Sequence, residues 1–166
     1  EYYLYRLYDD SSYSFIQKAE FAGWRYSQHL DQRFNDDRWR IFANDKHVFY
    51  SMMEAHGLAY PHVVALFDQN KKAALKQSRL LDSIQAARNF LQDPAIYPLF
   101  FKPVSGTYGR GAFSAISYDR ETDAIKMGNG ESIPLDNVLE MFQEKWARGY
   151  IMQKLLEPHP EVAALV

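Results

Sequence analysis

The feature that most restricts how this chain can fold is a glycine-rich turn between two apolar segments. Lys102 stands inside the first segment, and the turn after it contains three glycines, Gly106, Gly109 and Gly111. Glycine permits positive φ angles and lets backbone N–H groups come close to an anion. An ammonium group beside such a turn could hold the phosphates of a nucleotide. A tight turn beside a lysine that reaches into solvent is the other interpretation of the same residues.

Two common phosphate-binding loops do not fit this turn. The spacing from Gly106 to Gly111 matches the first part of a P-loop, but Ala112-Phe113 stands where that loop needs Lys followed by Ser or Thr. A dinucleotide-binding loop is followed by a helix, whereas residues 112–118 have the pattern of a strand. The sequence therefore predicts a strand, a glycine-rich turn and an antiparallel strand.

Hydrophobic periodicity predicts a mixed α/β arrangement along the rest of the chain. The aromatic-rich start is expected to form short helices whose rings pack in a core, and the basic run from Gln69 to Arg79 is interpreted as a solvated helix face. In the helix after Asn44, the inner face is predicted to hold Phe49, Met52 and Met53. The predicted elements are a helix capped by Asn44 and ended by Gly57, a strand over 63–67, a helix opened by Asp82 or Ser83 and closed by Asp93-Pro94, strands over 97–104, 112–118 and 123–127, a helix over 135–146 and a strand over 150–153.

Composition excludes several classes of function. Lys and Arg number 19 against 21 Asp and Glu, and this net charge of −2 argues against a nucleic-acid binder. Cysteine is absent, which removes disulfides, thiol nucleophiles and Cys-based zinc sites and suits a reducing, cytoplasmic compartment. The five histidines lack the spacing of metal ligands. Because no apolar run approaches about 18 residues, membrane insertion is not expected.

Three segments together resemble the ATP-grasp enzymes. Residues 102–111 resemble the lysine strand and glycine-rich loop of that family. Asn44-Asp45-Lys46, the helix after it and residues 56–61 resemble its aspartate-lysine, helix, glycine, proline segment. Residues 150–157 resemble the strand and hinge that grip adenine. The three occur in the family's order and spacing.

The subgroup most similar to this chain is the sugar-transfer-associated ATP-grasp proteins of polysaccharide biosynthesis, to judge from residues 1–8 and 159–165. The resemblance implies an α/β (α+β) fold in which a helical segment precedes the nucleotide-binding lobe, a mixed sheet with helices. The implied division is a helical, aromatic-rich segment over 1–43, a helix-strand-helix segment over 44–97, and a nucleotide-binding subdomain over 98–166 that ends before the Mg²⁺-binding region.

The resemblance also implies which residues contact the triphosphate of ATP. Lys102 would contact the α- and β-phosphates, and Lys46 stands where the family has a second nucleotide-contacting lysine. From the residues alone, Lys46 is equally a solvated lysine in the first turn of a helix. The turn would close over the triphosphate as a mobile lid formed by Ser105, Gly106, Thr107, Tyr108, Gly109, Arg110 and Gly111.

At the adenine end, the resemblance implies contacts from the last strand and the residues after it. Gln153, where many members of the family carry Glu, would accept a hydrogen bond from the adenine amino group. The carbonyl of Lys154 would accept from the same group, and the N–H of Leu156 would donate to the ring. Glu161 lies near the expected ribose contact, with His159 as the alternative.

The implied activity is that of an ATP-dependent carboxylate–amine or carboxylate–hydroxyl ligase that acts through an acyl phosphate in polysaccharide or cell-envelope biosynthesis. Its other substrate would bear a carboxylate or be related to a sugar. The ligands of Mg²⁺ are expected beyond Val166, so this part alone is expected to bind ATP without turnover and to carry no catalytic residue. A non-catalytic nucleotide-binding or regulatory module and an ATP-grasp kinase are the two alternatives.

Overall fold

The computed structural model describes residues 3, 5–21, 23–70, 74–144, 147–158 and 161. The chain divides into two compact units, Glu1–Ile41 and Phe42–Val166. In the described part of the chain the longest helix has 11 residues, and no helix there could cross a membrane.

The first unit consists of short helices, as the sequence predicts. Helix α1 covers Phe15–Ala19, α2 covers Trp24–Phe34, and a 3₁₀ turn covers Asp37–Trp39. The boundary between the units falls within α3, Arg40–Asn44. Ser14 begins α1 with a capping box, in which its hydroxyl accepts from the N–H of Gln17 and the Gln17 side chain accepts from the N–H of Ser14.

The prediction that the early aromatic rings pack in a core is wrong for the described residues. Phe15 is 87% exposed, Phe34 75% and Trp24 65%, and no described ring of this unit is buried. The ring centroids of Tyr5 and Tyr13 each lie 5.5 Å from that of Phe21, so both rings pack against Phe21. Such short helices bury too little surface to enclose large side chains.

The second unit is built on one mixed sheet of seven strands. The order across the sheet is β2-β1-β7-β3-β4-β5-β6; β1 and β2 are parallel, and the other neighbouring strands are antiparallel. The predicted antiparallel pair around the glycine-rich turn is confirmed as β3 and β4. The strands are β1 (Val63–Phe67), β2 (Arg79–Leu81), β3 (Leu99–Pro103), β4 (Phe113–Asp119), β5 (Ala124–Met127), β6 (Ser132–Pro134) and β7 (Tyr150–Lys154).

Two of these strands, β2 and β6, were not predicted, because three residues are too few for an alternating pattern to stand out. The interpretation of the basic run as a helix face is also wrong. Lys76 lies in a turn and Arg79 begins β2, while residues 71–73 fall outside the described part.

Helix α4 (Lys46–Ala55) begins one residue later than the sequence predicts. Asn44 is the last residue of α3, and Asp45 caps α4 by accepting from the N–H groups of His47 and Val48 at 3.0 and 3.2 Å. Asp45 has extended backbone angles, as an N-cap residue needs, whereas Asn44 is helical. The predicted left-handed residue at the other end is confirmed, since Gly57 has a φ of 66°.

The other two helices lie on the opposite face of the sheet from α4. Helix α5 (Ile84–Leu91) is capped by Ser83 and is followed by a 3₁₀ turn at Pro94–Ile96; α6 covers Leu135–Gln143. The predicted extension of α6 to Trp146 falls on a residue outside the described part. Both helices pack on a core that includes Leu99, Phe101, Tyr150 and Met152.

Strand alternation sets which side chains reach the α4 face. Leu99 and Phe101 point into the core under α5 and α6, so Phe100 and Lys102 lie on the face that α4 covers. There Tyr50 is 6% exposed, whereas the predicted inner residues Phe49 and Met52 are 43% and 41% exposed. The inner face of α4 is therefore carried by Tyr50 and Met53.

Candidate functional site

Lys102 is the second-last residue of β3 and is partly buried on the α4 face, opposite Ile151 of β7. Its Nζ donates a hydrogen bond to the hydroxyl of Tyr50 at 2.5 Å and lies 5.0 Å from the centroid of that ring. The Tyr50 ring stacks on Tyr60, with 5.3 Å between centroids. The ammonium group is thus held against an aromatic surface instead of extending into solvent.

Lys46, the first residue of α4, carries a second ammonium group, which contacts the glycine-rich turn. Its Nζ donates to the carbonyl of Gly106 at 2.9 Å, and its backbone N–H donates to the carbonyl of Val104 at 3.0 Å. Asp45 forms an isolated bridge with Ser105. The start of α4 is therefore fastened to the start of the glycine-rich turn.

The two lysines repel each other. Burial of its ammonium group lowers the pKa of Lys46, the positive charge of Lys102 lowers it further, and the Asp45 carboxylate raises it by a smaller effect. Within the described part of the chain, neither lysine forms an ion pair with a carboxylate. An anion between the two ammonium groups would replace this repulsion with attraction.

Replacing Lys102 by Met is expected to raise the pKa of Lys46, because the substitution removes the neighbouring positive charge. A lysine whose pKa is lowered by folding destabilises the folded state at pH values below that pKa, and the penalty disappears as pH rises towards the unfolded value. The measurement is a ¹³C NMR titration of the Lys46 Cε signal, assigned with a Lys46→Arg variant. An unchanged midpoint in Lys102→Met would contradict the repulsion.

The turn itself adopts backbone angles that suit glycine. Positive φ angles occur at Gly106, Tyr108, Gly109 and Gly111 (133°, 57°, 70° and 70°). The N–H of Arg110 donates to the carbonyl of Thr107 at 3.3 Å, and the hydroxyl of Tyr150 donates to that of Gly111 at 3.3 Å. The side chain of Tyr108 is fully exposed. The turn is held at its two ends, while residues 107–110 project into solvent.

Gln153 lies on the same face of the sheet as Lys102. It stands opposite Phe100, two residues along β7 from Ile151, and is 2% exposed. Its amide nitrogen donates to the carbonyl of Pro61 at 3.1 Å. This bond sets the orientation of the amide and leaves its oxygen as the atom to accept from a ligand.

The remaining predicted contacts are less closely tied to the lysines. Lys154 ends β7, and its backbone N–H donates to the carbonyl of His62 at 3.0 Å. Leu156 is 68% exposed, and Glu161 is exposed too. The alternative ribose contact, His159, falls outside the described residues. The structure thus joins the start of α4 to Ser105 and Gly106 and lets the charge of Lys102 act on Lys46. Gln153 lies on the same face of the sheet as Lys102.

Sequence reasoning missed Tyr50 in this cluster. It follows Lys46 by four residues on one helix, so the two side chains lie on the same face of α4. That spacing was available in the sequence. The apolar neighbours Phe49 and Met52 concealed it, because they were assigned to the core.

Among the described residues, no three His, Asp or Glu side chains come together in a way that could hold a metal ion. Two cavities, of about 360 and 480 Å³, lie elsewhere and are not lined by Lys46 or Lys102.

No family model, curated protein or solved structure matches this chain. The resemblance to ATP-grasp enzymes therefore rests on the residues and their order.

Proposed function

We propose that the second unit binds ATP on the α4 face of its sheet, as the nucleotide-binding part of an ATP-grasp enzyme. The observation that carries this proposal is that Lys46, whose ammonium group donates to Gly106 of the glycine-rich turn, also feels the positive charge of Lys102. The positive charge of Lys102 lowers the pKa of Lys46, and among the described residues neither lysine forms an ion pair with a carboxylate. An anion beside them would offset this repulsion. A triphosphate supplies such an anion.

Gln153 favours a nucleotide over a simple phosphate. Gln153 lies two residues along β7 from Ile151, the residue opposite Lys102. Two residues of a strand span about 7 Å. Phe100 stands beside Gln153 on β3, partly buried, and offers an apolar surface to a base. The free amide oxygen suits the amino group of adenine and disfavours the carbonyl oxygen of guanine.

The proposed reaction is the ligation of a carboxylate to an amine or hydroxyl group. A carboxylate oxygen attacks the γ-phosphorus of ATP, the bond from that phosphorus to ADP breaks, and an acyl phosphate forms. The amine or hydroxyl then attacks the acyl carbon, and inorganic phosphate leaves. In this scheme Lys102 and the N–H groups of the turn offset the charge on the phosphates, and the cytoplasm and cell-envelope polysaccharide synthesis are the expected setting.

The test is a thermal melt and a calorimetric titration with MgATP, MgGTP and inorganic tripolyphosphate. At 100 times its dissociation constant, MgATP is expected to stabilise the chain by about 2.7 kcal/mol, which raises Tm by about 5–10 °C for a protein of this size. Tripolyphosphate is expected to compete with MgATP. MgGTP is expected to bind about tenfold more weakly, since the Gln153 oxygen would face another acceptor.

Absence of any MgATP effect at millimolar concentration would count against nucleotide binding. Equal affinities for MgATP and MgGTP, with tripolyphosphate still competing, would keep the phosphate site and remove the role assigned to Gln153.

A further inference from the structure

We propose that Tyr50 positions Lys102 in the phosphate site and that its hydroxyl donates a hydrogen bond to the bound phosphates. This proposal rests on the proposed function. Tyr50 is 6% exposed, and its oxygen lies 2.5 Å from the Lys102 Nζ. The ring lies under the same ammonium group, at 5.0 Å from its centroid.

The direction of this hydrogen bond decides what the tyrosine can still do. An ammonium group has three hydrogens to donate and no lone pair, so the phenol oxygen must be the acceptor. The O–H hydrogen of Tyr50 is then left to donate elsewhere. A phosphate oxygen bound to Lys102 lies within reach of that hydrogen, because the two donor atoms are only 2.5 Å apart.

The position of Tyr50 is set by contacts that do not involve Lys102. Its ring stacks on Tyr60 at 5.3 Å, and the Tyr60 hydroxyl donates to Glu54 at 2.9 Å. Glu54 also accepts from the backbone N–H of Lys76. A side chain held in this way can hold another one, which is the requirement for a positioning residue.

Lys102 needs such support because the positive charge of Lys46 repels its ammonium group. A lysine has a long, flexible stem, and repulsion from Lys46 favours conformations in which the ammonium group moves out into water. The hydroxyl and the ring of Tyr50 oppose that movement. The ammonium group is therefore in place before the nucleotide arrives, which lowers the entropy lost on binding.

The experiment compares Tyr50→Phe with Tyr97→Phe, each titrated with MgATP by NMR, which measures dissociation constants into the millimolar range. Tyr50→Phe keeps the ring and the stack and removes only the hydroxyl. Its affinity for MgATP is expected to fall about tenfold, as for a lost hydrogen bond to a charged group. Tyr97→Phe removes a hydroxyl that donates to the carbonyl of Leu91 at 2.7 Å, against the core on the other face of the sheet. Its affinity is expected to stay within about twofold of the unsubstituted chain.

A double-substitution cycle separates positioning from a general structural role. In a Lys102→Met background, Tyr50→Phe is expected to cost less than about threefold in affinity, because Lys102 no longer holds a phosphate oxygen within reach of the Tyr50 hydroxyl. The same tenfold cost in both backgrounds, or an unchanged affinity of Tyr50→Phe in the unsubstituted chain, would overturn this proposal and leave ATP binding intact. An unsubstituted chain that does not bind MgATP would overturn both proposals. Ligand-free melts confirm that each variant is folded.

Discussion

Lys102→Ala is expected to lower the affinity for MgATP by on the order of 100-fold, while the chain remains folded. A hydrogen bond between charged groups is worth about 1.5–3 kcal/mol, and each 1.4 kcal/mol corresponds to about a tenfold change in affinity. The loss to folding is small, because Lys102 is only partly buried and its removal ends the repulsion of Lys46. Calorimetric titration measures the affinity, and a ligand-free thermal melt measures the fold.

Lys126→Ala is the matched control. This lysine is exposed on β5, two strands away from β3, and pairs with Ser117 and Ser132, away from the glycine-rich turn. Loss of one positive charge there is expected to change the MgATP affinity by less than about twofold at physiological salt. Equal effects of the two substitutions would show that Lys102 acts only through the net charge. A Lys102→Ala chain that fails to fold would show that this lysine serves the core.

Gly149→Ala is expected to lower the free energy of unfolding by about 3 kcal/mol or more, more than any other substitution proposed for this chain. A Cβ at this position would lie 2.4 Å from the backbone oxygen of Phe67 and 3.4 Å from a methyl group of Val104, and the φ of Gly149 is 107°. Backbone strain costs about 1–3 kcal/mol and overpacking costs a similar amount. The carbonyl of Gly149 also accepts from the N–H of Val104 at 2.9 Å, so the clash lies where β3 passes into the glycine-rich turn.

Gly109→Ala separates the clash from the conformational strain. Its φ is 70°, but no atom lies within 4 Å of the Cβ it would carry, so a loss of only about 1 kcal/mol is expected. Thermal unfolding followed by circular dichroism should place the Gly149→Ala midpoint about 4–8 °C below that of Gly109→Ala. Equal midpoints would mean that the backbone around Phe67 moves aside at little cost.

Much of the fold follows from local patterns. The strand at 63–67 is observed with the predicted bounds, and the elements around the glycine-rich turn differ by one or two residues. The misses have physical reasons. Strands β2 and β6 have three residues each, and their pairing partners supply what their own sequence does not. The predicted cap of α4 was Asn44 and the observed cap is Asp45. Both residue types are good caps, and only the backbone angles distinguish them.

The candidate site, like the fold, was predicted only in part from the sequence. The sequence indicated Lys46, Lys102 and the turn as separate segments, and the structure joins Lys46 to Gly106 of the turn and lets the charge of Lys102 act on it. Tyr50 was hidden, because an aromatic side chain on a helix is more often part of a core than a hydrogen-bonding partner of a lysine. In this structure it is both.

The sequence by itself determined the mixed α/β class and the strand, glycine-rich turn and strand, since propensity and periodicity are local properties. Only the tertiary structure decided that the charge of Lys102 acts on Lys46, that Tyr50 accepts a hydrogen bond from Lys102 and that Gly149 has no space for a side chain. These facts depend on which strands pair and which helix covers which face of the sheet. Contacts between residues far apart in the chain fix that choice, and no short stretch of sequence contains it.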